Sequence, residues 1–165
     1  MAYDFSKASI LIVEDNVPIL KLMEPVVQTF GFGTIHTARN GKAAFELFCQ
    51  QNHDIVITDW MMKPMNGISL ARMIRNDKSS PNHFVPIILM TGFSHKQRVI
   101  EARDSGITDF LIKPFSAANL YQKIERAIED KRDYIEASDF MGPDRRRKSQ
   151  MNETFEGKDR RTNPE

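Results

Sequence analysis

Polar residues with reactive side chains follow four apolar segments of strand length in this chain. They are, in chain order, Glu14 with Asp15, then Asp59, Thr91 and Lys113. Three acids that lie together repel one another unless a cation binds between them, and Mg²⁺ prefers oxygen ligands of this kind. If the four segments are neighbours in one sheet, their ends predict a magnesium site with an amine and a hydroxyl beside it.

A carboxylate next to Mg²⁺ can attack phosphorus and form an aspartyl phosphate. Asp59 is the candidate nucleophile, and Lys113 and Thr91 are the candidates for binding the phosphoryl oxygens, as a point charge and a hydrogen-bond donor. A single aspartate after a strand is more often a helix cap or a turn residue. The prediction therefore depends on all four strand ends meeting in one place.

The elements that must position these residues alternate along the chain. Apolar runs predict five strands, at 9–13, 33–38, 54–58, 85–91 and 109–113. Helical spacing of apolar residues predicts helices at 18–30, 40–50, 68–75 and 94–105, and a last helix that runs from Ser116 to include Ile135. Five such repeats predict a doubly wound α/β fold with a parallel sheet, in which ligands bind at the carboxyl ends of the strands.

Composition and charge exclude several classes of protein and of binding partner. The chain has 165 residues, 41% of them hydrophobic, which predicts one soluble domain with an appendage. The only cysteine, Cys49, excludes an intramolecular disulfide, and a net charge of +1 does not favour nucleic acid or membrane surfaces. The apolar runs are too short to span a membrane, so we expect a cytoplasmic protein. The four histidines, at 36, 53, 83 and 95, show no ligand spacing and predict surface or incidental roles.

The strand ends resemble those of response regulator receiver domains of two-component signalling. The similar segments, within residues 7–135, are "LIVEDN", "DWMMKPMNG", "ILMTG" and "DFLIKPF". The resemblance implies a (βα)₅ flavodoxin-like fold with strand order 2-1-3-4-5. It also implies that a histidine kinase or phosphotransfer protein phosphorylates Asp59, that Thr91 and Lys113 contact the phosphoryl group, and that the Lys113–Pro114 bond is cis.

The resemblance further assigns the metal ligands and a switch. Asp15, Asp59 and the backbone carbonyl of Met61 would bind Mg²⁺, with Glu14 assisting through water. Phe110, three residues before the lysine, occupies the switch aromatic position. Thr91 and Phe110 would move together after phosphorylation and alter protein binding by the surface of the fourth helix, fifth strand and fifth helix.

One detail of the site region differs from the usual family pattern, and a second bears on the rate at which a phosphoaspartate would hydrolyse. Lys63 stands where the family usually has proline and Pro64 follows, which predicts a locally altered turn. The positions that flank the attacking water are Met61 and Phe93, both apolar. We therefore expect a slowly hydrolysing phosphoaspartate.

Beyond the predicted domain at 1–138, residues 139–165 form a basic tail with a repeated motif. "FMGPDRRR" and "FEGKDRRT" share the pattern Phe-x-Gly-x-Asp-Arg-Arg. Their shared residues include Phe140, Arg145 and Arg146 in the first copy and Phe155, Arg160 and Arg161 in the second. With few apolar residues the tail is predicted to be mostly disordered and solvated. Alternatively, the motifs dock on a partner protein or fold back on the domain; nucleic acid or an anionic membrane is a weaker alternative.

The predicted output is contact with an unidentified downstream protein, by a monomer or a phosphorylation-dependent dimer, since no segment predicts a DNA-binding domain. The rival class is an enzyme on a similar sheet, such as a phosphatase with an aspartyl nucleophile. Such enzymes need a second acid two residues after the first, and that position is Met61. A flavin carrier is disfavoured because the acids of "EDNVP" would repel a phosphate after the first strand.

Overall fold

The computed structural model describes residues 3–92, 96–129, 134–137 and 140–143. Its main sheet has five parallel strands: β1 (Ser9–Val13), β2 (Thr34–Ala38), β3 (Ile55–Asp59), β4 (Ile87–Thr91) and β5 (Asp109–Ile112). The helices are α1 (Val17–Thr29), α2 (Gly41–Gln51), α3 (Gly67–Asn76), α4 (Lys96–Asp104) and α5 (Ala117–Glu129). The strand order is β2-β1-β3-β4-β5, so the predicted doubly wound fold is confirmed.

Asparagine starts three of the helices. The side-chain oxygens of Asn16, Asn40 and Asn66 accept hydrogen bonds from the backbone N–H groups of Ile19, Ala43 and Ser69. Each bond satisfies one of the donors that a helix leaves unpaired at its first turn. The caps fix where α1, α2 and α3 begin, directly after the loops that leave the carboxyl edge of the sheet.

The sheet is buried on both faces. Successive residues of a strand point to opposite sides, so Ile10 and Ile12 pack with α1 and α5, while Leu11 and Val13 pack with α2 and α3. All four side chains are fully buried. This two-sided burial explains why the strand appears in the sequence as an uninterrupted apolar run.

The end of the last predicted helix is wrong. α5 ends at Glu129, and Ile135 lies instead in β6 (Tyr134–Ala137), which pairs antiparallel with β7 (Phe140–Pro143). Ile135 stands two helical turns after Ile128, which mimics a continued helix face, but a two-residue connection between the strands favours a hairpin. The predicted domain boundary after residue 138 falls between these strands and stays a prediction.

No helix within the described ranges is long and apolar enough to cross a membrane.

One histidine is buried, contrary to the surface or incidental role predicted for it. His53 is 1% exposed, its ring stacks on Phe48, and its Nε2 lies 2.8 Å from Nδ1 of His36. Its Nδ1 is buried and has no hydrogen-bond partner in the described structure. Burial, assisted by the neighbouring His36, lowers the pKa of His53 from 6.5 to about 4.

This lowered pKa predicts acid sensitivity. Below pH 6.5 the unfolded chain takes up a proton on His53 while the folded chain does not, until the pH approaches 4. The free energy of unfolding should therefore fall as the pH falls through this window, by up to ~3 kcal/mol from this residue. Urea unfolding of wild type and His53→Phe at pH 7 and pH 4.5 measures the difference. An equal decline in both proteins would contradict the assignment.

Candidate functional site

The carboxyl ends of β1, β3, β4 and β5 bring the predicted site residues together. Asp59 pairs in register with Met90, so Thr91 lies one residue further along the same edge. The ammonium of Lys113 donates hydrogen bonds to Oδ1 of Asp59 at 2.9 Å and to Oε2 of Glu14 at 3.0 Å. The side chains of Glu14, Asp59 and Lys113, which come from separate strands, therefore contact one another.

The three acids form one cluster with graded exposure. Carboxylate oxygens of Glu14, Asp15 and Asp59 lie within 4.8 Å of one another. Glu14 is 1% exposed and Asp59 is 9% exposed, whereas Asp15 is exposed to solvent. The backbone N–H of Asn16 also donates to Glu14, at 3.2 Å. Hydrogen bonds to Glu14 and Asp59 thus fix the buried side of the cluster, and the Asp15 side is open to solvent.

Burial and pairing act against each other on the ionisable groups. Burial raises the pKa of Glu14, and the hydrogen bond from Lys113 only partly opposes this effect. Burial alone would lower the pKa of Lys113, but its hydrogen bonds to Asp59 and Glu14 outweigh burial and raise the pKa. Lys113 therefore stays an ammonium, and its single charge faces an excess of carboxylates.

The loop after β3 folds back onto Asp59. The backbone N–H of Trp60 donates to the carbonyl of Met90, and the carbonyl of Trp60 accepts from the N–H of Gly67. A Cβ atom at Gly67 would overlap the Asp59 carbonyl, so the close approach requires glycine here. Sequence spacing alone did not identify this contact, although the Asn66–Gly67 pair at the end of the loop marks it.

A second contact fixes the same loop from the side of α2. The N–H of Gly41 donates to the carbonyl of Met65 at 3.0 Å, and a Cβ atom at Gly41 would lie 2.7 Å from that oxygen. Within the loop the Lys63–Pro64 peptide bond is cis, and this cis bond is the local change in the turn. The Met61 side chain in the same loop is 56% exposed. The Lys113–Pro114 bond is also cis, as the resemblance implied.

Thr91 and Phe110 lie on one face of the sheet. Leu89 pairs with Phe110, and Thr91 stands two residues after Leu89 on the same strand, so all three share a side. Phe110 is half-buried against the core cluster that also contains Ala102 of α4, while Thr91 is 2% exposed. The predicted switch pair therefore lies on the face of the sheet whose core cluster includes Ala102 of α4.

Some of the residues predicted from the sequence lie apart from the acid cluster, and others lie outside the described residues. Phe140 lies in β7, and β7 contacts α3. Phe93, Arg145, Arg146, Phe155, Arg160 and Arg161 lie outside the described residues.

The donor set fits a hard divalent cation. Three carboxylates within 4.8 Å supply oxygen ligands with a local excess of negative charge, and the exposed Asp15 leaves a route for a hydrated ion. Mg²⁺ is typically held by one or two carboxylates and keeps several waters. Among the residues that the structure describes, no histidine or cysteine belongs to the cluster, which disfavours zinc.

The sequence matches the family model of the response regulator receiver domain over residues 10–125. The chain belongs to this family. It is 31% identical to the chemotaxis protein CheY-3 of Vibrio cholerae over 120 residues, which are 73% of this chain and 91% of that protein. It is 32% identical to the chemotaxis protein CheY of Pseudomonas aeruginosa, covering 73% of this chain and 95% of the relative.

Solved structures agree with this assignment. The chemotaxis protein CheY4 of Vibrio cholerae has a TM-score of 0.68 and 26% identity, covering 73% of this chain and 98% of that one. The receiver domain of a sensor histidine kinase from Pseudomonas aeruginosa, solved with a magnesium ion coordinated in its active site cleft, has a TM-score of 0.67 and 27% identity. That match covers 75% of this chain and 99% of the other. Membership identifies the receiver as a phosphorylation-dependent signalling regulator rather than a classical enzyme.

Proposed function

We propose that Asp59 of this receiver accepts a phosphoryl group from a histidine kinase or phosphotransfer protein in a Mg²⁺-dependent reaction. The observation that carries the proposal is the position of Lys113, which contacts Asp59 and Glu14 while Asp15 stays exposed beside them. A nucleophile, a fixed cation and a set of hard oxygen ligands thus share one edge of the sheet.

Asp59, Lys113 and Thr91 have different roles in the phosphoryl transfer. Lys113 holds Oδ1 of Asp59, which leaves Oδ2 to attack phosphorus while the bond from phosphorus to the donor breaks. The Lys113 ammonium and the Thr91 hydroxyl then bind the phosphoryl oxygens. Because Lys113 is positioned before the donor arrives, little reorganisation is needed during the transfer.

Asp15, Asp59 and the Met61 carbonyl would hold Mg²⁺, with Glu14 assisting through water. When bound, the ion neutralises charge between the carboxylates and the phosphoryl oxygens. Glu14 is buried and already occupied by Lys113 and the Asn16 N–H, which suits an indirect role. Exposed Asp15 is the residue through which a hydrated ion enters.

Phosphorylation is expected to act on binding through Thr91 and Phe110. A phosphoryl group that draws the Thr91 hydroxyl towards Asp59 opens space on the face that Thr91 shares with Phe110, next to α4. The surface of α4, β5 and α5 already exposes Ile100 at 38% and Ile112 at 47%. Exposed apolar side chains of this size suit contact with a downstream protein.

The domain organisation remains part of the proposal. We propose a receiver domain at 1–138 followed by the tail at 139–165, in a cytoplasmic protein that works as a monomer or a phosphorylation-dependent dimer.

Incubation with acetyl phosphate and Mg²⁺ tests the function. The expected result is one stable phosphoryl group per chain, mapped to Asp59 after peptide digestion, and none when a chelator removes Mg²⁺. A phosphoester substrate tests the rival enzyme class in the same buffer. Multiple turnover of that ester without a modified Asp59 would overturn the proposal.

Lys113→Met should separate the structural and metal-related roles of the acid cluster. Without Mg²⁺ the variant should lose ~2 kcal/mol of unfolding free energy, because buried Glu14 loses its cationic partner. Millimolar Mg²⁺ should restore most of this loss and bind more tightly than to wild type, since a repelling charge has been removed. Fluorescence of Trp60, the only tryptophan and a neighbour of Asp59, follows both unfolding and the Mg²⁺ titration.

Lys123→Met is the matched control for this variant. Lys123 pairs with Asp109 at the same distance of 2.9 Å, but both side chains are partly exposed, at 28% and 21%. Its loss should be at most ~1 kcal/mol and should not depend on Mg²⁺. If both variants respond equally to Mg²⁺, the acid cluster is not the metal site.

The phosphoaspartate should hydrolyse slowly. Met61 lies two residues after Asp59 and presents an exposed apolar side chain that cannot orient an attacking water. Met61→Asn, which adds hydrogen-bonding groups, should shorten the lifetime by ~10-fold. Loss of the modified species followed by intact mass spectrometry at 25 °C measures this, and a wild-type lifetime of only seconds would refute it.

A further inference from the structure

An apolar groove lies between α1 and the start of α5, on the same edge of the molecule as the acid cluster. Its volume is about 460 Å³. Leu22 on its wall is 72% exposed, the largest exposed fraction among the exposed large hydrophobic residues of the described structure. Its other lining residues include Ile19, Val26, Phe115 and Leu120. A groove of this size and composition can accept a phenylalanine side chain.

Lys113 joins the groove to the acids. It lines the groove, and its ammonium contacts both Asp59 and Glu14. Three carboxylates face this one ammonium, and Asp15 is exposed among them. A ligand with an apolar anchor and a nearby cationic group would therefore match the groove and the cluster together.

The second tail motif has this chemistry. Phe155 is followed at five and six residues by Arg160 and Arg161. Five extended residues span at most ~17 Å, and the glycine within the motif permits a turn, so anchor and cations can contact neighbouring sites. In the first motif the segment Phe140–Pro143 is paired with β6, whereas the second motif lies outside the described residues.

The second motif can also reach the groove. Residues 144–154 connect Pro143 to Phe155 and span up to ~40 Å when extended. A receiver of this size has a diameter of ~35 Å. The connection is therefore about as long as the domain is wide, and a nearly extended path from β7, which contacts α3 on the other face of the sheet, can bring Phe155 to the groove.

We propose that residues 155–161 dock on their own receiver domain, with Phe155 in the α1–α5 groove and Arg160 and Arg161 on the carboxylates of Asp15 and Asp59. The docked tail covers the carboxyl edge of the sheet and competes with Mg²⁺ for the acids. The receiver thus carries its own reversible inhibitor, displaced by divalent cation or by a binding partner. The inference goes beyond the phosphorylation proposal, and the contact can be tested without any phosphoryl donor.

Disulfide trapping in the full chain tests the contact. In a Cys49→Ser background, Ala117→Cys places a thiol on an exposed residue that lines the groove, and Glu156→Cys places one next to Phe155 in the sequence. The control pair combines Glu156→Cys with Glu46→Cys, which is exposed on α2 across the sheet. Under mild oxidation the groove pair should form an intramolecular disulfide ~10-fold faster than the control pair, because docking raises the local thiol concentration.

Two further measurements make the outcome decisive. Adding Phe155→Ala to the groove pair should reduce the rate of intramolecular disulfide formation to that of the control pair. Arg160→Ala with Arg161→Ala, in the otherwise natural chain, should tighten Mg²⁺ binding by ~3-fold in a Trp60 fluorescence titration. Equal rates for the two pairs, or a disulfide that forms only between two molecules, would overturn the inference. Phosphorylation of Asp59 in the same proteins would then still stand.

Discussion

The Asp59→Asn protein is expected to fold like wild type and to take up no phosphoryl group from acetyl phosphate. The amide oxygen of asparagine can still accept the hydrogen bond that Lys113 donates to Oδ1 at 2.9 Å, so the local geometry is retained. An amide is a poor nucleophile, so the labelling rate should fall by ~10³-fold or more. Intact mass spectrometry of the full chain after incubation with acetyl phosphate and Mg²⁺ measures the loss.

Asp54→Asn is the matched control, because Asp54 stands at the opposite end of β3. Its exposed carboxylate accepts hydrogen bonds from Ser9 at the amino edge of the sheet, far from the acid cluster. This variant should be labelled at the wild-type rate. Equal labelling of the two variants, or transfer of the phosphoryl group to Glu14 or Asp15 in Asp59→Asn, would contradict the assignment of the acceptor.

Stability without Mg²⁺ gives an independent check on the same variant. Asp59→Asn removes one negative charge from three carboxylates that lie within 4.8 Å of one another. Relief of this repulsion should keep the unfolding free energy at or above the wild-type value. A large loss of stability would show instead that Asp59 mainly serves the fold through its ion pair with Lys113.

The elements that form the site were predictable because their signals are local. β1 and β3 are buried on both faces, so each appears as a short, continuous apolar run that stops at an acid. The alternation of strands and helices makes the strands parallel, which places all their carboxyl ends on one edge. The convergence of Glu14, Asp59 and Lys113 therefore followed from the order of the elements rather than from any single residue.

The features that the sequence did not reveal depend on contacts between distant segments. His53 is buried because the ring stacks on Phe48 and meets His36 of the edge strand, and no spacing along the chain indicates this. The end of α5 was misplaced for a related reason. Ile135 continues the helical spacing of apolar residues, whereas its strand depends on pairing with Gly142.

Arg75 is a larger example of the same kind, since the sequence indicated only a charged residue near the end of a short helix. It is fully buried. Its guanidinium donates to the carbonyls of Gly106, His83 and Val85 at 2.9, 2.9 and 2.6 Å. It thereby ties α3 to the segment before β4 and to the turn before β5, the strand that leads to Lys113.

Arg75→Met should therefore destabilise the domain by ~3–5 kcal/mol. Methionine fills much of the same volume but leaves two buried carbonyl groups and one partly buried carbonyl group without this donor, at ~1–3 kcal/mol for each buried unsatisfied group. Arg75→Lys should lose somewhat less, because its ammonium can still donate to some of these carbonyls, although it cannot reproduce the fork of the guanidinium. Urea unfolding followed by Trp60 fluorescence gives the free energies.

Arg72→Met, on the exposed side of the same helix, separates this effect from helix propensity and net charge. Its unfolding free energy should stay within ~0.5 kcal/mol of wild type. A value for Arg75→Met within ~1 kcal/mol of that control would mean that water replaces the guanidinium at the three carbonyls. A loss in the expected range would mean that the stability of the domain depends on the buried arginine that joins α3 to the turn before β5.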